Sequence, residues 1–441
     1  MVNFKDYSNK KVAVLGLGAE NEALILWLAN KGVSVNLSIY DRREASALED
    51  KQERISHLTG GLSINWQLGR KSYKSLKGYD ELWRSPGWPI FCPQIQEAIQ
   101  SGGVLNSPMN LFFKFCPTKN IIGVTGSKGK GTTASLIYDI LKLANYPVFL
   151  GGNIGVPPFA FFDQLTEKSL VVLELSSFQL EDLRHSPHIA VITNLYEEHL
   201  APADPLNPNY HKSLADYWLA KEQIFLHQNP EDWLVINKKL SSWLDKKHCP
   251  GQIKWFGRLS WPSKLIGEHN QENIAAAWAA TEIVGVLPVI AKKAVANFQG
   301  LEHRLQLVGE KGGVRYYDDS FATNPDSTII AIKSFREPII LLAGGADKGN
   351  DFTFLAKTIR SQSVKAVILF EGEASPRLKD SLLSVGYPPE QIFLASSMDE
   401  AMRLVKEYAK TGDVVLLSPA CASFGLFKNY KERGNLFKQA V

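Results

Sequence analysis

Apolar residues fall into short unbroken runs set off by glycines, each followed by a stretch in which they recur every three to four positions. The first cycle is KKVAVLG at 10–16. An unalternating run of this kind is the pattern of a strand covered on both faces. Helical spacing from Ala19 to Lys31, closed by Gly32, predicts the helix behind it. A second cycle occupies KNIIGVTGSKGKGTTASLIYDILKLANYPVFLGGNIG at 119–155, with a further strand near Val148–Leu150. SLVVLELSSF (169–178) and HIAVITNL (188–195) add two more buried runs. A third cycle is written in GVRYYDDS, EPIILLAGG, VKAVILFEG, QIFLAS and DVVLLSPA, all within 313–420. Three successive βα blocks predict an α/β protein of three domains, each with a mostly parallel sheet. Loops at SGGVLNSP and NFQGLEHR place the boundaries near residues 104 and 300, and the Pro-rich segment 200–212 reads as a long surface loop.

Composition narrows the class. A chain of 441 residues exceeds one ordinary core, and 45% apolar with 21% charged residues is ordinary for a globular protein. The net charge of +4 is spread out, which argues against a nucleic-acid partner. Cys92, Cys116, Cys249 and Cys421 form no C-x-x-C pair, the opening MVNFKDYSNKK has no signal-peptide pattern, and no apolar run is long enough to span a bilayer. A cytoplasmic chain with free thiols and no membrane contact is expected.

Two glycine motifs carry candidate chemistry. GLGAEN at 16–21 begins like a dinucleotide fingerprint, with Asp41 at the end of the next strand, but Asn21 stands where a third glycine belongs. A tight structural turn and a nucleotide site both fit it. GVTGSKGKGTTA at 123–134 departs from G-x-x-x-x-G-K-[ST]: Val124 replaces the first glycine and Gly131 the hydroxyl residue. Its position between strand and helix still suits a phosphate, with Gly126 and Gly129 freeing the backbone, Lys130 supplying charge, and Thr132 and Thr133 offering hydroxyls one residue late. A solvated Lys/Gly turn is the alternative.

The T-G-x-x-G-K spacing resembles the ATP loop of the Mur ligase and folylpolyglutamate synthase superfamily. GGNIG, ELSSFQLE, TNLYEEH, GEHNQENIAAA, HR, DDSFATNPDST, GGADKG and LLSPACASFGLFKNYKERGNLF follow in that family's order, across all three blocks. The resemblance implies a Rossmann-like UDP-substrate domain (1–104), a central P-loop-type ATP domain (105–300) and a Rossmann-like amino-acid domain (301–441). It implies an ATP- and Mg²⁺-dependent amide ligase that forms an acyl phosphate, with D-glutamate as the incoming amino acid in peptidoglycan precursor synthesis.

Carried over residue by residue, the resemblance implies ATP contacts from Gly126, Ser127, Lys128, Gly129, Lys130, Gly131, Thr132, Thr133, Asn270, Asn273, Arg304 and Asp319. Thr132, Glu174, His199 and a carbamylated Lys221 would serve two Mg²⁺ ions; Lys130, Glu174, His199 and Lys221 form the expected catalytic set. Read without the resemblance, Lys221 is a surface helix residue. Gly18, Asp41, Arg43, Ser85, Pro86, Gly87, Asn153, Ser176 and Ser177 would meet the UDP precursor, although Ser176 also reads as a helix cap. Thr323, Lys348, Ser423 and Tyr430 would hold D-glutamate. The implied partners are small molecules acting on a monomer. Glu20 in the first glycine loop, Gly131 after the loop lysine, and Phe321 in place of the family's lysine depart from the pattern. A folylpolyglutamate-type ligase and an inactive nucleotide-binding homologue are the rival readings; the first would lack the front domain that GLG and Asp41 mark, and the second would not need the full metal set.

Overall fold

A computed structural model describes residues 7, 10–58, 62–70, 75–200, 208–347 and 349–441. Residues 201–207 of the expected surface loop, and Lys348, lie outside the described residues.

Three sheets organise the chain. The first runs Ser63–Leu68, Asn36–Asp41, Lys11–Leu15, Glu81–Arg84, Val104–Asn106, all parallel. Its last strand straddles the boundary expected at residue 104. The second runs Gln252–Phe256, Trp233–Asn237, Ile189–Ile192, Ile121–Thr125, Leu170–Glu174, Val148–Gly152, again all parallel. The third runs Gln306–Lys311, Val314–Asp318, Val414–Leu417, Ile339–Ala343, Val364–Phe370, Ile392–Ala395, and only its first pair is antiparallel. Strands such as Leu170–Glu174 and Ile339–Ala343 are buried at every position, which is why their sequences show no alternation.

The chain divides into two compact units: residues 1–261 with 272–295, and residues 262–271 with 296–441. The first two sheets belong to one unit because a single apolar cluster joins them, from Val14 and Trp83 through Phe112 and Phe159 to Leu173 and Ile192. Trp27 of the first helix, Ala19–Asn30, packs on Phe162 at 5.1 Å. Arg84 strengthens the join. Its buried guanidinium donates to Asp182 at 2.8 Å and to the carbonyls of Trp88 and Phe178. Among the described residues no helix is long and apolar enough to cross a membrane.

In both sheets of the first unit a glycine turn leaves a strand that has neighbours on both sides reached in opposite directions. Lys11–Leu15 lies between the second and fourth strands, and Ile121–Thr125 between Leu170–Glu174 and Ile189–Ile192. Such switch points leave a crevice at the carboxyl ends of the strands.

Candidate active site

The second turn, Gly126–Gly129, enters the helix Lys130–Leu143 directly. Gly126 (φ +143°) and Gly129 (φ +83°) have no room for a side chain: a Cβ would fall 1.9 Å from Thr193 Oγ1 and 2.2 Å from Asn273 Oδ1. The turn is strapped from the neighbouring strand. Thr193 Oγ1 donates to the Lys128 carbonyl at 2.7 Å, Asn194 Nδ2 to the same oxygen at 2.9 Å, and Asn194 Oδ1 accepts the Lys128 N–H. Gly129 caps the helix with no side chain, so the first-turn N–H groups are not satisfied by a cap.

Within the loop the expected residues divide. The Ser127 hydroxyl is turned inward, 2.8 Å from the Tyr217 hydroxyl, and accepts from the Tyr196 N–H. Lys128 is paired with Glu198 at 2.7 Å. Lys130 folds back to donate to the Gly126 and Ser127 carbonyls, both at 2.9 Å. Gly131 and Thr133 are buried, with Thr133 3.5 Å from Asn273 Oδ1. Thr132 is half-buried and makes no side-chain hydrogen bond among the described residues. Gly131 therefore occupies an inward position, and the free hydroxyl of the loop is that of Thr132.

Around this loop stand Lys221, Glu174 and His199. Lys221, on the helix Leu214–Leu226, is 1% exposed and donates to the Gly126 carbonyl at 2.9 Å, the same oxygen that Lys130 reaches. Burial, reinforced by the Lys130 charge, pushes its ammonium well below the ordinary lysine range. Glu174 ends its strand 2% exposed. One of its oxygens accepts from Asn153 Nδ2 at 3.0 Å; the other is buried with no hydrogen-bond partner. An unpaired buried acceptor costs about 1–3 kcal/mol, which a cation would offset.

His199 has left-handed backbone (φ +61°) and a half-exposed ring, 3.8 Å from Glu198. Burial lowers its pKa against the pull of Glu198, with Lys130 and Lys221 acting in the same direction as burial, which favours the neutral ring that ligates metal. Among the described residues no three His, Cys, Asp or Glu side chains converge on one point. A divalent ion here needs oxygen from elsewhere: nucleotide phosphate, Thr132, or a group added to Lys221. The hard, oxygen-rich donor set fits Mg²⁺.

Glu198 and His211 escaped sequence reasoning. Burial alone would raise the Glu198 carboxyl, but Lys128 and Lys130 outweigh it and hold the group ionised. His211 stacks on Phe178 at 4.8 Å, meets Ser177 Oγ at 2.9 Å, and donates its backbone N–H to the His199 carbonyl. Burial first, then His199 and Lys221, bring its pKa down to about 4. Glu198 meets Lys128 across 70 residues of sequence, and nothing local marks either Glu198 or His211.

The Ser176–Ser177 pair is committed within the protein. Ser176 caps the helix Ser177–Leu180 in a reciprocal box with Gln179, whose Nε2 in turn donates to Glu20. Glu20 is half-buried by surface exposure yet densely surrounded by protein. That burial raises its carboxyl to about 7, and it points at Gln179 rather than into the glycine turn.

The first glycine turn is built differently. Asp41 accepts the Leu17 N–H at 2.8 Å and is held ionised by Arg43, which overcomes the burial that would raise it. Arg43 binds both Asp41 oxygens and the Leu17 carbonyl. Asn21 donates to the Gly16 carbonyl, so the residue in place of the third glycine fastens the turn from within the helix. Ser85 donates its N–H to Leu15, the Pro86 carbonyl is held by Asn209, and Gly87 lies between it and Trp88.

In the second unit, Asp319 is buried; its oxygens accept from Ser418 at 2.7 Å and from the Leu305 N–H, and burial raises it to about 7. The Arg304 guanidinium lies 4.0 Å from the centroid of Phe321. Tyr430 meets Phe321 edge-on, Thr323 donates its N–H to the Phe321 carbonyl, and Ser423 is buried beside the chain turn that follows Val414–Leu417. Asn270 donates to Ile266, and Asn273 lies one turn further along the same helix, Glu268–Ile283. His303 is paired with Asp318 at 2.7 Å.

A strapped glycine turn, a buried lysine and an unpaired carboxylate oxygen, on a three-sheet α/β chain, are features suited to a nucleotide-dependent enzyme. Residues 10–105 match the Mur ligase MurD-like N-terminal domain, 124–254 the Mur ligase middle domain, and 303–421 the Mur ligase glutamate ligase domain. The UDP-N-acetylmuramoylalanine--D-glutamate ligase of Acetivibrio thermocellus is 36% identical, over 99% of this chain and 97% of its own. The UDP-N-acetylmuramate-alanine ligase MurC of Thermotoga maritima shares the fold with TM-score 0.58 at 20% identity, covering 98% of this chain and 99% of that one. MurF ligase of the same organism, in complex with ADP, has TM-score 0.59 at 16% identity over 99% of both chains. The chain belongs to the Mur ligase family, and is an ATP-dependent amide-forming ligase.

Proposed function

We propose that this chain joins D-glutamate to UDP-N-acetylmuramoyl-L-alanine. The near full-length likeness to a ligase named for that reaction supports the reading most directly. In the proposed sequence the alanyl carboxylate attacks the γ-phosphorus of ATP and ADP leaves. The D-glutamate amine then attacks the acyl phosphate carbon, and phosphate departs as the amide forms.

The geometry around the phosphate loop supports the roles there; the others, that of Lys348 among them, follow the family resemblance. The N–H groups of Gly129, Lys130, Gly131 and Thr132 and the Lys130 ammonium would cradle the terminal phosphates, with Gly126, Ser127, Lys128 and Thr133 shaping the loop. Glu174, His199 and Thr132 would hold Mg²⁺, which when bound neutralises developing phosphate charge. A neutral, buried amine is the form of lysine that adds CO₂, so Lys221 is suited to carry a carbamate; that anionic oxygen ligand would complete the donors for two ions. Asn270, Asn273, Arg304 and Asp319 would meet the nucleotide. The first sheet would bind the uridine precursor through Gly18, Asp41, Arg43 and the Ser85–Pro86–Gly87 turn, with Asn153 nearer the reacting carboxylate. Thr323, Lys348, Ser423 and Tyr430 would hold D-glutamate. Domains at 1–104, 105–300 and 301–441 follow this division, in a cytoplasmic monomer that binds no nucleic acid.

Phosphate release from ATP, measured with UDP-N-acetylmuramoyl-L-alanine and a panel of D- and L-amino acids, tests the assignment. Stimulation by D-glutamate above all others is expected. Preference for another amino acid, or none, would sink it.

A further inference from the structure

Phe321 occupies the position where the family resemblance implies a lysine, and its ring is 41% exposed, so it contributes little to the core. It is instead the centre of a stack. The Arg304 guanidinium carbon lies 4.0 Å from the centroid of its ring, and Tyr430 meets it edge-on at 5.0 Å and 89°. Tyr430 in turn meets His303 at 5.8 Å and 85°. The backbone fixes this arrangement: the Phe321 N–H donates to the His303 carbonyl at 3.0 Å, and the Thr323 N–H to the Phe321 carbonyl at 2.9 Å. Among the described residues no side-chain hydrogen bond orients Arg304; its guanidinium lies over the aromatic face, with the Asp319 carboxyl as a nearby charge. A lysine at 321 would set a second cation against Arg304 and remove the ring that Tyr430 packs on.

We infer that Phe321 is a positioning residue that orients Arg304 for nucleotide and Tyr430 for the amino acid, linking the two sides of the reaction through one ring. The inference rests on the proposed roles of Arg304 and Tyr430. A ring quadrupole binding a partly exposed cation predicts that Phe321→Leu weakens nucleotide binding by about 2- to 10-fold, with little change in Tm. Phe321→Tyr, which keeps the face, should retain wild-type behaviour.

The test is ADP affinity by calorimetry together with KM for ATP and for D-glutamate, in Phe321→Leu, Phe321→Tyr, Arg304→Ala and the Arg304→Ala/Phe321→Leu double variant. Higher KM for ATP with kcat less affected in Phe321→Leu, rescue by Tyr, and no added loss in the double variant are expected. A Phe321→Leu protein that binds ADP normally while Arg304→Ala does not would overturn the pairing and leave the nucleotide role of Arg304 standing. Normal ADP binding by Arg304→Ala would overturn that role and the inference with it.

Discussion

The two glycine turns of the first unit share one grammar, strand then glycines then helix, and differ in what their backbone is bound to. At Gly16–Asn21 the protein closes the turn on itself: Asp41 takes the Leu17 N–H, Arg43 takes Asp41, and Asn21 takes the Gly16 carbonyl. At Gly126–Gly129 the straps from Thr193 and Asn194 hold the turn from behind, and two lysines converge on one carbonyl oxygen; neither turn's helix start has a side-chain cap. In the first turn the nearby cation is tied to a carboxylate, Arg43 to Asp41. In the second the Lys130 ammonium turns to backbone carbonyls beside the helix start, a setting suited to a terminal phosphate. Glycine count does not separate them; the partners of the nearby cations do.

That contrast can be broken by mutation, and the largest effect should come from Lys130. Lys130→Ala should lower the rate of phosphate release about 100- to 1000-fold, the scale for removing one preorganised charge from phosphate in a shielded site. Steady-state assay at saturating ATP checks it, and a loss under tenfold would contradict the anion-site reading. Lys221→Ala should cost about 100-fold, with partial recovery on adding a small carboxylate such as acetate, which would replace the anionic oxygen of the proposed carbamate. Full activity without acetate would remove Lys221 from the metal set.

Adding one methyl group to each turn sharpens the comparison. Gly126→Ala puts a Cβ into Thr193 at positive φ and should cost about 2 kcal/mol or more, along with nucleotide binding. Gly18→Ala meets only Ser85 Cβ at 3.9 Å with φ −70°. It should stay within about 1 kcal/mol, since lower entropy of the unfolded chain offsets a poorer helix cap. Thermal melts with and without ADP give both numbers, and equal penalties would show that the turns are not distinguished in this way.

The smallest effect concerns pH. Burial raises Glu20 from 4.5 to about 7, so the folded state holds a proton that the unfolded chain releases. Its contribution is fully present below pH 4.5 and is lost as pH rises through about 7. Glu20→Gln should therefore gain on the wild type between pH 5 and 8, by on the order of 1 kcal/mol given its partial exposure. A difference in Tm that is flat with pH would show that Glu20 is ionised throughout.

Much of the fold was legible because buried parallel strands must be continuous apolar runs, and the runs at 121–125, 170–174, 189–192 and 339–343 all became strands. The edge strands Gln252–Phe256 and Gln306–Lys311 were not anticipated: both are largely exposed and carry charged or polar residues, so neither has such a run. The site was legible where chemistry follows local spacing, as with Lys130 and Glu174. Arg84 and Glu198 act through partners 98 and 70 residues away, and His211 reaches Ser177 across 34 residues from within the Pro-rich segment; no local pattern encodes such distances. Departures from the motifs proved informative in place. Asn21 fastens its turn, Gly131 lies buried, and Glu20 is directed away into the Gln179 contact.

The central claim is that ATP activates the alanyl carboxylate on the loop at 126–133. The direct measurement uses UDP-N-acetylmuramoyl-L-alanine labelled with ¹⁸O in that carboxylate, turned over with ATP and D-glutamate. An acyl phosphate places one labelled oxygen in each released phosphate, and that transfer is the predicted result. Phosphate released without label would contradict the account.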